Sequence, residues 1–232
     1  VTPHMSGRTY FADSCATGTY NHSQYTALKL LGKTIRYVTD MSRAGCGCNA
    51  ALYLTSLHQN NLQSDCNDYY CDANKVCGVS CSEIDLQESN LYAWHSTLHV
   101  WDDGTGVGVG LGGKTTQWTK ADYGPGARCI DTSKPVQVAV SFPVGGDGVL
   151  RAMEVELSQD GHDCRLSAAV GSYPAAGRDG MIELSKALAE GMTPIISYWA
   201  SDQMLWMDGA GTQGVTDCVK DDAAACPASV GF

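Results

Sequence analysis

The chain has 232 residues, of which 44% are hydrophobic, and its 25 acidic and 15 basic residues give a formal net charge of −10. This length and apolar content predict a single domain over residues 1–232 with a substantial core. The charge argues against a nucleic-acid partner, because phosphate binding needs many Lys and Arg contacts, and no run of roughly 18 to 20 apolar residues predicts a membrane span.

Four segments predict β-strands, because they alternate or run apolar and are rich in β-branched and aromatic residues. These segments are 34–40, 51–57, 136–142 and 149–157. The glycine-rich loop 145–148 separates the last two and predicts a hairpin, since glycine readily adopts a positive φ. The expected pairing is therefore antiparallel.

One helix is predicted over residues 179–190, where Met181, Leu184 and Leu188 share a helical face. Asp179 can cap its start and Gly191 can end it. Strands therefore dominate, with one or two short helices. The predicted fold class is all-β, an antiparallel β-sandwich of the jelly-roll type.

The cysteine content predicts an oxidising compartment. Eleven cysteines are dispersed along the chain without a CxxC pair, so we expect mostly disulfides and a secreted, extracellular protein. An odd count leaves at least one thiol free or paired outside the chain. Asn21 begins an N-H-S glycosylation sequon, which fits a secreted glycoprotein, and the amino end lacks the pattern of a signal peptide, so we expect a mature chain.

Residues 81–90, CSEIDLQESN, bring Glu83, Asp85 and Glu88 together among apolar neighbours. On a helix the two glutamates would point about 140° apart, and on a regular strand they would face opposite sides, unless a β-bulge absorbs one residue. With a bulge, roughly 5 Å would separate the two glutamate carboxyl groups, the spacing of a retaining glycosidase. Asp85 would lie between them, hydrogen-bond the nucleophile and raise the proton affinity of the acid/base.

The acidic motif alone is a weak signal, because most acid clusters are solvated faces or calcium ligands, but its surroundings resemble glycoside hydrolase family 7. CSEIDLQESN resembles the family's C-S-E-M-D-I-W-E-A-N, and His99 lies eleven residues after Glu88, where the family carries a histidine. CGCNAALYLTS resembles C-G-L-N-G-A-L-Y-F-V-S, and the segment 191–209 is similar to G-M-V-L-V-M-S-L-W-D-D…M-L-W-L-D-S. These blocks keep the family's order from about residue 7 onward.

The resemblance implies an endo-β-1,4-glucan hydrolase that retains anomeric configuration. It implies Glu83 as nucleophile, Asp85 as its supporting acid, Glu88 as acid/base and His99 as a neighbour in the site. The substrate-binding residues implied are Trp199, Trp206, Tyr53, Asn49 and Gln87. The implied partner is a β-1,4-glucan polysaccharide bound by a monomer, with no cofactor and no metal.

The resemblance also implies a disulfide between Cys46 and Cys218, and Cys48, which stands where the family has Leu, is the expected unpaired thiol. Cys66, Cys71, Cys77 and Cys81 are expected to cross-link locally around the catalytic strand, in pairs that sequence cannot assign.

Several departures from the family predict different substrate contacts. Gln87 replaces a tryptophan, Ala200 and Ser201 replace paired acids, and the segment 209–218 lacks the family's arginine. The tunnel-forming loops are also missing, so we expect an open groove and internal chain cleavage. The family's first strands have no counterpart, so we expect a reduced sandwich or a fragment.

Two other functional classes stay open. A polysaccharide lyase could use His99 and a tyrosine for proton transfer, if basic residues around His99 attract a uronate. A carbohydrate-binding or effector protein could keep the fold without turnover, as Gln87 and the missing arginine suggest. His99 could also be a structural histidine, or pair with His95 at a zinc site if the segment were helical.

Overall fold

The computed structural model describes residues 1–210 and 214–232, so residues 211–213 of the segment before Cys218 lie outside the described residues. Within these ranges the chain forms two α-helices and fifteen β-strands. The strands are β1 (Gly7–Tyr10), β2 (Thr34–Thr39), β3 (Cys48–Thr55), β4 (Glu83–Ser89), β5 (Trp94–His99), β6 (Val107–Gly112), β7 (Thr115–Thr116), β8 (Tyr123–Gly124), β9 (Ile130–Asp131), β10 (Val136–Ser141), β11 (Met153–Ser158), β12 (Leu166–Val170), β13 (Pro174–Ala175), β14 (Arg178–Asp179) and β15 (Thr193–Ala200). The helices are α1 (Gly180–Glu190) and α2 (Leu205–Asp208), and short 3₁₀ turns cover His22–Gln24, Leu57–Gln59 and Ala223–Ala225.

Two antiparallel sheets enclose the main core, which confirms the predicted β-sandwich. The larger sheet has the strand order β1-β15-β3-β4-β5-β6-β7, and the smaller has the order β12-β11-β10-β2. Leu54, Leu86 and Leu98 of the larger sheet are buried in one cluster with Val140 and Val155 of the smaller sheet. Because side chains alternate along a strand, the opposite face of the larger sheet is free to form a cleft.

The predicted strands are present with shifted ends. β2 and β10 match their predicted segments to within one residue, whereas β3 starts at Cys48 and ends at Thr55, so Leu57 falls in the following 3₁₀ turn. The last segment becomes regular only at Met153, because residues 144 and 150 form an isolated bridge in the hairpin loop. The hairpin between β10 and β11 is antiparallel as predicted, and Gly148 takes a φ of +81°.

Helix α1 begins and ends where its sequence indicates. The Asp179 carboxylate accepts a hydrogen bond from the Met181 backbone N–H at 2.9 Å. Gly191 ends the helix with a φ of +110°, which a residue with a Cβ rarely adopts. Leu184 and Leu188 are fully buried in the sandwich core, as the helical periodicity predicts.

The described residues contain five disulfides, and one prediction about them is wrong. Cys46 pairs with Cys218 as expected, and two local bridges, Cys66–Cys77 and Cys71–Cys81, staple the segment before β4. A further bridge joins Cys129 to Cys164.

Cys48 is not free but bonded to Cys226. The Asp222 backbone N–H donates to the Cys46 carbonyl, and this contact brings the segment that carries Cys226 beside the start of β3. The unpaired cysteine among the described residues is Cys15, which is exposed. None of the helices described in residues 1–210 and 214–232 has the length and apolar character of a membrane-crossing helix.

Candidate active site

A β-bulge in β4 brings the three acids to one face of the larger sheet. Leu52 of β3 pairs with Gln87, but the next residue, Tyr53, pairs with Asp85, so Leu86 is an extra residue on β4. Leu86 itself is fully buried in the core. The predicted bulge is therefore present. Glu83, Asp85 and Glu88 all line the same cleft.

The cleft extends to both sides of β4. A cavity of about 570 Å³ lies on the side of β1, β15 and β3, and a cavity of about 730 Å³ lies on the side of β5, β6 and β7. We call them the β3 half and the β5 half. Glu83, Asp85, Glu88 and Trp199 line both halves, so the three acids lie at the centre of one continuous groove. Its further lining includes Arg8, Tyr53 and Tyr70 in the β3 half and His95, Lys114 and Trp206 in the β5 half.

Among the described residues, Glu83 and Glu88 each accept one hydrogen bond. The Ala73 backbone N–H donates to Glu83 Oε2 at 3.1 Å, and Asn49 Nδ2 donates to Glu88 Oε1 at 2.9 Å. Burial, and next the charge of Asp85, raise the pKa of Glu83 well above its usual range. The same two causes raise the pKa of Glu88 to about 8. At neutral pH the pair of glutamates therefore keeps a proton that exposed carboxyl groups would lose.

His99 and Asp85 form an ion pair at the centre of the cleft. His99 Nε2 lies 3.0 Å from Asp85 Oδ2, and its Nδ1 lies 2.9 Å from the Asp103 carbonyl oxygen. A carbonyl can only accept, so Nδ1 donates, and Nε2 donates to the carboxylate. Burial alone would lower the pKa of His99, but the hydrogen bond and charge of Asp85 outweigh it and raise the pKa to about 10. His99 is thus an imidazolium at neutral pH.

The backbone around His99 leaves room for this pair. Gly106 has a φ of +63°, and a Cβ there would lie 2.6 Å from His99 Nδ1. The predicted hydrogen bond from Asp85 to the nucleophile is absent from the described contacts, because Asp85 Oδ2 binds His99 instead. His99 lies opposite Glu83 in the β4–β5 register, and its positive charge counteracts the upward shift in the pKa of Glu83.

Four of the five predicted substrate-binding residues lie in or beside the cleft. Trp199 and Tyr53 line it, and Trp206 lines the β5 half with its side chain half-exposed. Asn49 is buried and touches the groove only through Glu88.

Gln87 is the exception, and its prediction as a substrate contact is wrong. Its side chain is fully buried on the core side, where Nε2 donates to Thr39 Oγ1 of the smaller sheet at 3.1 Å and to Ser89 Oγ at 2.8 Å. The bulge places residue 88, not 87, on the cleft face.

Sequence reasoning missed several residues of the cleft wall. His95 and Thr97 precede His99 at alternate positions of β5, so the two-residue period of a strand could have placed all three on one face. Arg8 of β1 stacks on Tyr70 with 3.5 Å between the guanidinium carbon and the ring centroid. Only the tertiary structure brings Arg8, Tyr70 and Lys114 to the groove.

Histidines 95 and 99 lie on a strand, so the helical spacing on which a zinc site depended does not apply. His95 Nε2 donates to the Met207 carbonyl at 2.7 Å, and His99 binds Asp85. In the described part of the chain, no group of three or more His, Cys, Asp or Glu side chains is arranged to hold a metal ion.

Comparison with known proteins finds relatives in sequence and in fold. Endoglucanase EG-1 of Hypocrea jecorina is 29% identical over 238 residues, which cover 88% of this chain and 50% of that protein. The native endocellulase EGI of Humicola insolens superposes with a TM-score of 0.66 at 19% identity, covering 97% of this chain and 70% of that one. A GH7 family cellobiohydrolase of Daphnia pulex superposes with a TM-score of 0.61 at 18% identity, over 80% of this chain and 61% of that one.

The chain is a divergent relative of glycoside hydrolase family 7. The superpositions show a shared sandwich fold, and the relationship agrees with the resemblance found in the sequence. The chain spans about half the length of endoglucanase EG-1. No family model matches it. The family relationship is therefore carried by these relatives and by the fold.

Proposed function

We propose that this chain is a secreted, monomeric endo-β-1,4-glucan hydrolase that retains anomeric configuration, with residues 1–232 acting as one catalytic domain. The main support for this proposal is the bulge at Leu86. Because of it, the side chains of Glu83, Asp85 and Glu88 all line one cleft, together with His99. Two carboxyl groups facing one substrate chain are what glycoside hydrolysis requires. The similarity to endoglucanase EG-1 supports the β-1,4-glucan substrate.

In the proposed mechanism the two glutamates have different tasks. The ionised carboxylate of Glu83 attacks the anomeric carbon, while the carboxyl group of Glu88 gives its proton to the oxygen of the leaving sugar. The bond to that oxygen breaks and a glycosyl ester forms on Glu83. Glu88, now ionised, takes a proton from water, whose oxygen attacks the anomeric carbon and releases Glu83.

The ion pair of Asp85 and His99 acts on the charge of both glutamates. Asp85 raises the pKa of both glutamates, which keeps one proton on the pair. His99 lies opposite Glu83, and the Ala73 N–H donates to Glu83, so both favour the negative charge there. The singly protonated pair with the proton on Glu88 is the reactive form.

The groove suits cleavage within a chain. The acids lie between its two halves, and two tryptophans that are not fully buried line it: Trp199 in both halves and Trp206 in the β5 half. Sugar rings pack their axial hydrogens on aromatic faces while their hydroxyl groups stay free to hydrogen-bond. A polysaccharide can thus lie across the larger sheet with sugars on both sides of the cut.

The lyase alternative is less well supported. A lyase needs His99 as a free base, but the hydrogen bond to Asp85 Oδ2 at 3.0 Å and the donation to the Asp103 carbonyl keep both of its nitrogens protonated. The carbohydrate-binding alternative would use the same groove without turnover. Hydrolysis assays separate these classes directly.

The test is a reducing-end assay on cellulose, mixed-linkage glucan, xyloglucan, xylan and alginate with the parent chain, Glu83→Gln and Glu88→Gln. We expect the parent to act on a β-1,4-glucan with a rapid fall in viscosity. Each variant should lose at least 10³-fold in kcat, since removal of a catalytic group costs several kcal/mol. Glu190→Gln, an exposed residue at the end of α1, is the matched control and should keep full activity.

Three outcomes would contradict the proposal. Hydrolysis by Glu83→Gln at the parent rate would remove the nucleophile. Unsaturated uronate products from alginate would establish a lyase. Glucan binding without release of reducing ends would establish a binding protein. The anomeric configuration of the first product, followed by NMR, tests retention.

A further inference from the structure

His95 lies in the wall of the β5 half, directly opposite Glu88. The two residues pair in the β4–β5 register, and His95 is only 7% exposed. The proposed mechanism gives His95 no task. A buried imidazole beside the general acid therefore needs its own explanation.

The contacts of His95 fix both its orientation and its tautomer. Nε2 lies 2.7 Å from the Met207 carbonyl oxygen, which can only accept, so Nε2 carries a proton. Burial lowers the pKa of His95 to about 4, although the hydrogen bond to Met207 acts in the opposite direction. Above that pH the ring is neutral, and Nδ1 keeps a free lone pair. Within residues 1–210 and 214–232, Nδ1 makes no hydrogen bond to the protein.

The backbone is shaped around this contact. Gly112 has a φ of +121°, and a Cβ there would collide with the Met207 carbonyl and come within 3.3 Å of His95 Nε2. A glycine at this position lets β6 pass close enough for helix α2 to rest on β5. His95 therefore joins the strand of the active site to the helix that carries Trp206.

Trp206 and His95 are neighbours in the wall of the β5 half. Their ring centroids are 6.4 Å apart and their planes are inclined by 56°. A sugar that packs on the half-exposed indole of Trp206 presents its hydroxyl groups at the ring edge. One edge then faces the imidazole, whose free atom is an acceptor.

We propose that His95 determines specificity for the leaving sugar, because its Nδ1 accepts a hydrogen bond from a hydroxyl group of the sugar that packs on Trp206. The assignment to the leaving side follows from Glu88, since the general acid delivers its proton to the leaving oxygen and His95 faces it across the strand pair. This inference rests on the proposed function of the cleft. If His95 makes this contact, the β5 half favours leaving groups that carry sugar hydroxyl groups.

Two substitutions separate the sugar contact from the structural contact. In His95→Gln the side-chain amide can reach the position of Nε2 and still donate to Met207, but nothing replaces Nδ1. In His95→Asn the shorter amide can offer an acceptor near Nδ1 but loses the contact with Met207. The substrates are cellotetraose, whose leaving group is a sugar, and an aryl β-cellobioside, whose leaving group has no sugar hydroxyl.

We expect His95→Gln to lose about tenfold in kcat/KM on cellotetraose, the worth of one hydrogen bond that leaves its partner unpaired, and less than twofold on the aryl glycoside. His95→Asn should recover part of the loss on cellotetraose if it folds with the melting temperature of the parent. Equal losses on both substrates, or no loss on cellotetraose, would overturn the inference.

Binding measurements keep this test separate from that of the proposed function. Calorimetry with cellotetraose compares Glu83→Gln with the double variant Glu83→Gln/His95→Gln, in which no hydrolysis is expected. About tenfold weaker binding in the double variant supports the contact, and equal affinity overturns it. If the parent hydrolyses neither substrate, the proposed hydrolase fails, while the calorimetry still decides the role of His95.

Discussion

At the scale of single residues, the candidate site depends on how burial and one ion pair distribute protons among three acids. The Asp85 charge is held in place by His99, and it raises the pKa of both glutamates without hydrogen-bonding either in the described contacts. Because the glutamates interact, they titrate as a pair and their protons leave in two steps. In the proposed mechanism the active state is the one that holds one proton.

The pH dependence of activity follows from the raised pKa of Glu88. In the proposed mechanism Glu88 must hold its proton before the reaction, and burial followed by the Asp85 charge raises its pKa to about 8. We therefore expect kcat/KM to be half-lost near pH 8 and to fall about tenfold per unit well above it. Asn49 donates to the ionised form and lowers this pKa. In Asn49→Ala the basic limb should move upward by up to about one unit.

The measurement is a pH profile of kcat/KM on a soluble glucan for the parent, Asn49→Ala and Gln137→Ala. Gln137 is exposed on β10 in the smaller sheet, and its variant should reproduce the parent profile. Asn49→Ala also lowers the maximal rate if Asn49 supports substrate binding, so the position of the limb, not its height, is decisive. An unmoved limb would show that another group titrates there.

At the scale of elements, sequence periodicity predicted what depends on local chemistry. Helix α1 has its cap at Asp179 and its end at Gly191, because capping needs only neighbours in the chain. The bulge could be predicted too, since Glu83 and Glu88 can share a cleft only if parity changes between them. The extra residue, Leu86, could not be identified from parity alone, and the resemblance that implied Gln87 as a substrate contact does not show that its side chain faces the core.

The parts that sequence could not predict depend on contacts between distant segments. Cys48 was expected to be free, but its partner Cys226 is 178 residues away and reaches it through the backbone contact of Asp222 with Cys46. Arg8, on β1, enters the cleft because β1 pairs with β15. Hydrophobic periodicity around Cys48 or Arg8 reports only local structure, so it cannot reveal that Cys48 meets Cys226 or that β1 pairs with β15.

Helix α2 carries Trp206 and is held by hydrogen bonds of two buried acids, Asp208 and Asp221, whose carboxyl groups also repel each other. Asp221 Oδ2 accepts from the Met204 and Leu205 backbone N–H groups, and Asp208 Oδ2 accepts from the Gly47 N–H at 2.8 Å and from Asn90 at 2.7 Å. The Oδ1 atoms of both acids are buried without a partner among the described residues. Burial first, and the nearby Asp221 carboxyl, raise the pKa of Asp208 to about 6.

The raised pKa of Asp208 makes the native state bind more protons than the unfolded state. This contribution to stability is therefore present below about pH 4 and is lost as pH rises through about 6. In Asp221→Asn the amide can donate to Asp208 Oδ1, while its oxygen keeps the two N–H bonds of α2. We expect a gain of about 1 kcal/mol at pH 7.5, or roughly 2–4 °C in Tm, and a smaller gain at pH 4.5.

Thermal unfolding at the two pH values checks this prediction, with Asp217→Asn as the control. Asp217 is an exposed acid whose ion pair with Lys120 lies at the surface, so its variant should shift Tm by less than about 1 °C. A destabilised Asp221→Asn at pH 7.5 would show that the two carboxyl groups do not repel each other in the native state.

At the scale of the whole molecule, two disulfides fix the start of β3, a strand that lines the candidate active site. Cys46–Cys218 and Cys48–Cys226 join the start of β3 to the last segment of the chain, with sequence separations of 172 and 178 residues. The same region anchors α2 through Gly47, whose N–H donates to Asp208. The position of Trp206 over the cleft therefore depends on the closure of the fold around β3.

The two bridges are not equal in their effect on stability. With Cys46–Cys218 intact, Cys48–Cys226 closes an additional loop of only roughly ten residues, which is worth about 2.5–3 kcal/mol in the chain-entropy model. Cys48→Ala/Cys226→Ala should therefore lower Tm by roughly 5–12 °C. Removal of both bridges should cost more, since the remaining loop of more than a hundred residues contributes about 5 kcal/mol.

Cys15→Ser is the matched control, because Cys15 is exposed and carries no disulfide among the described residues, and its Tm should equal that of the parent. Thiol titration of the denatured, unreduced parent should find one free thiol per chain, and none in Cys15→Ser. If Cys48→Ala/Cys226→Ala melted with the parent, the predicted stabilisation by this bridge would be refuted, and free thiols in Cys15→Ser would show that at least one of the five bridges does not form. Since this bridge fixes the start of β3, a fall in activity at temperatures well below the new Tm would show that it also positions the cleft.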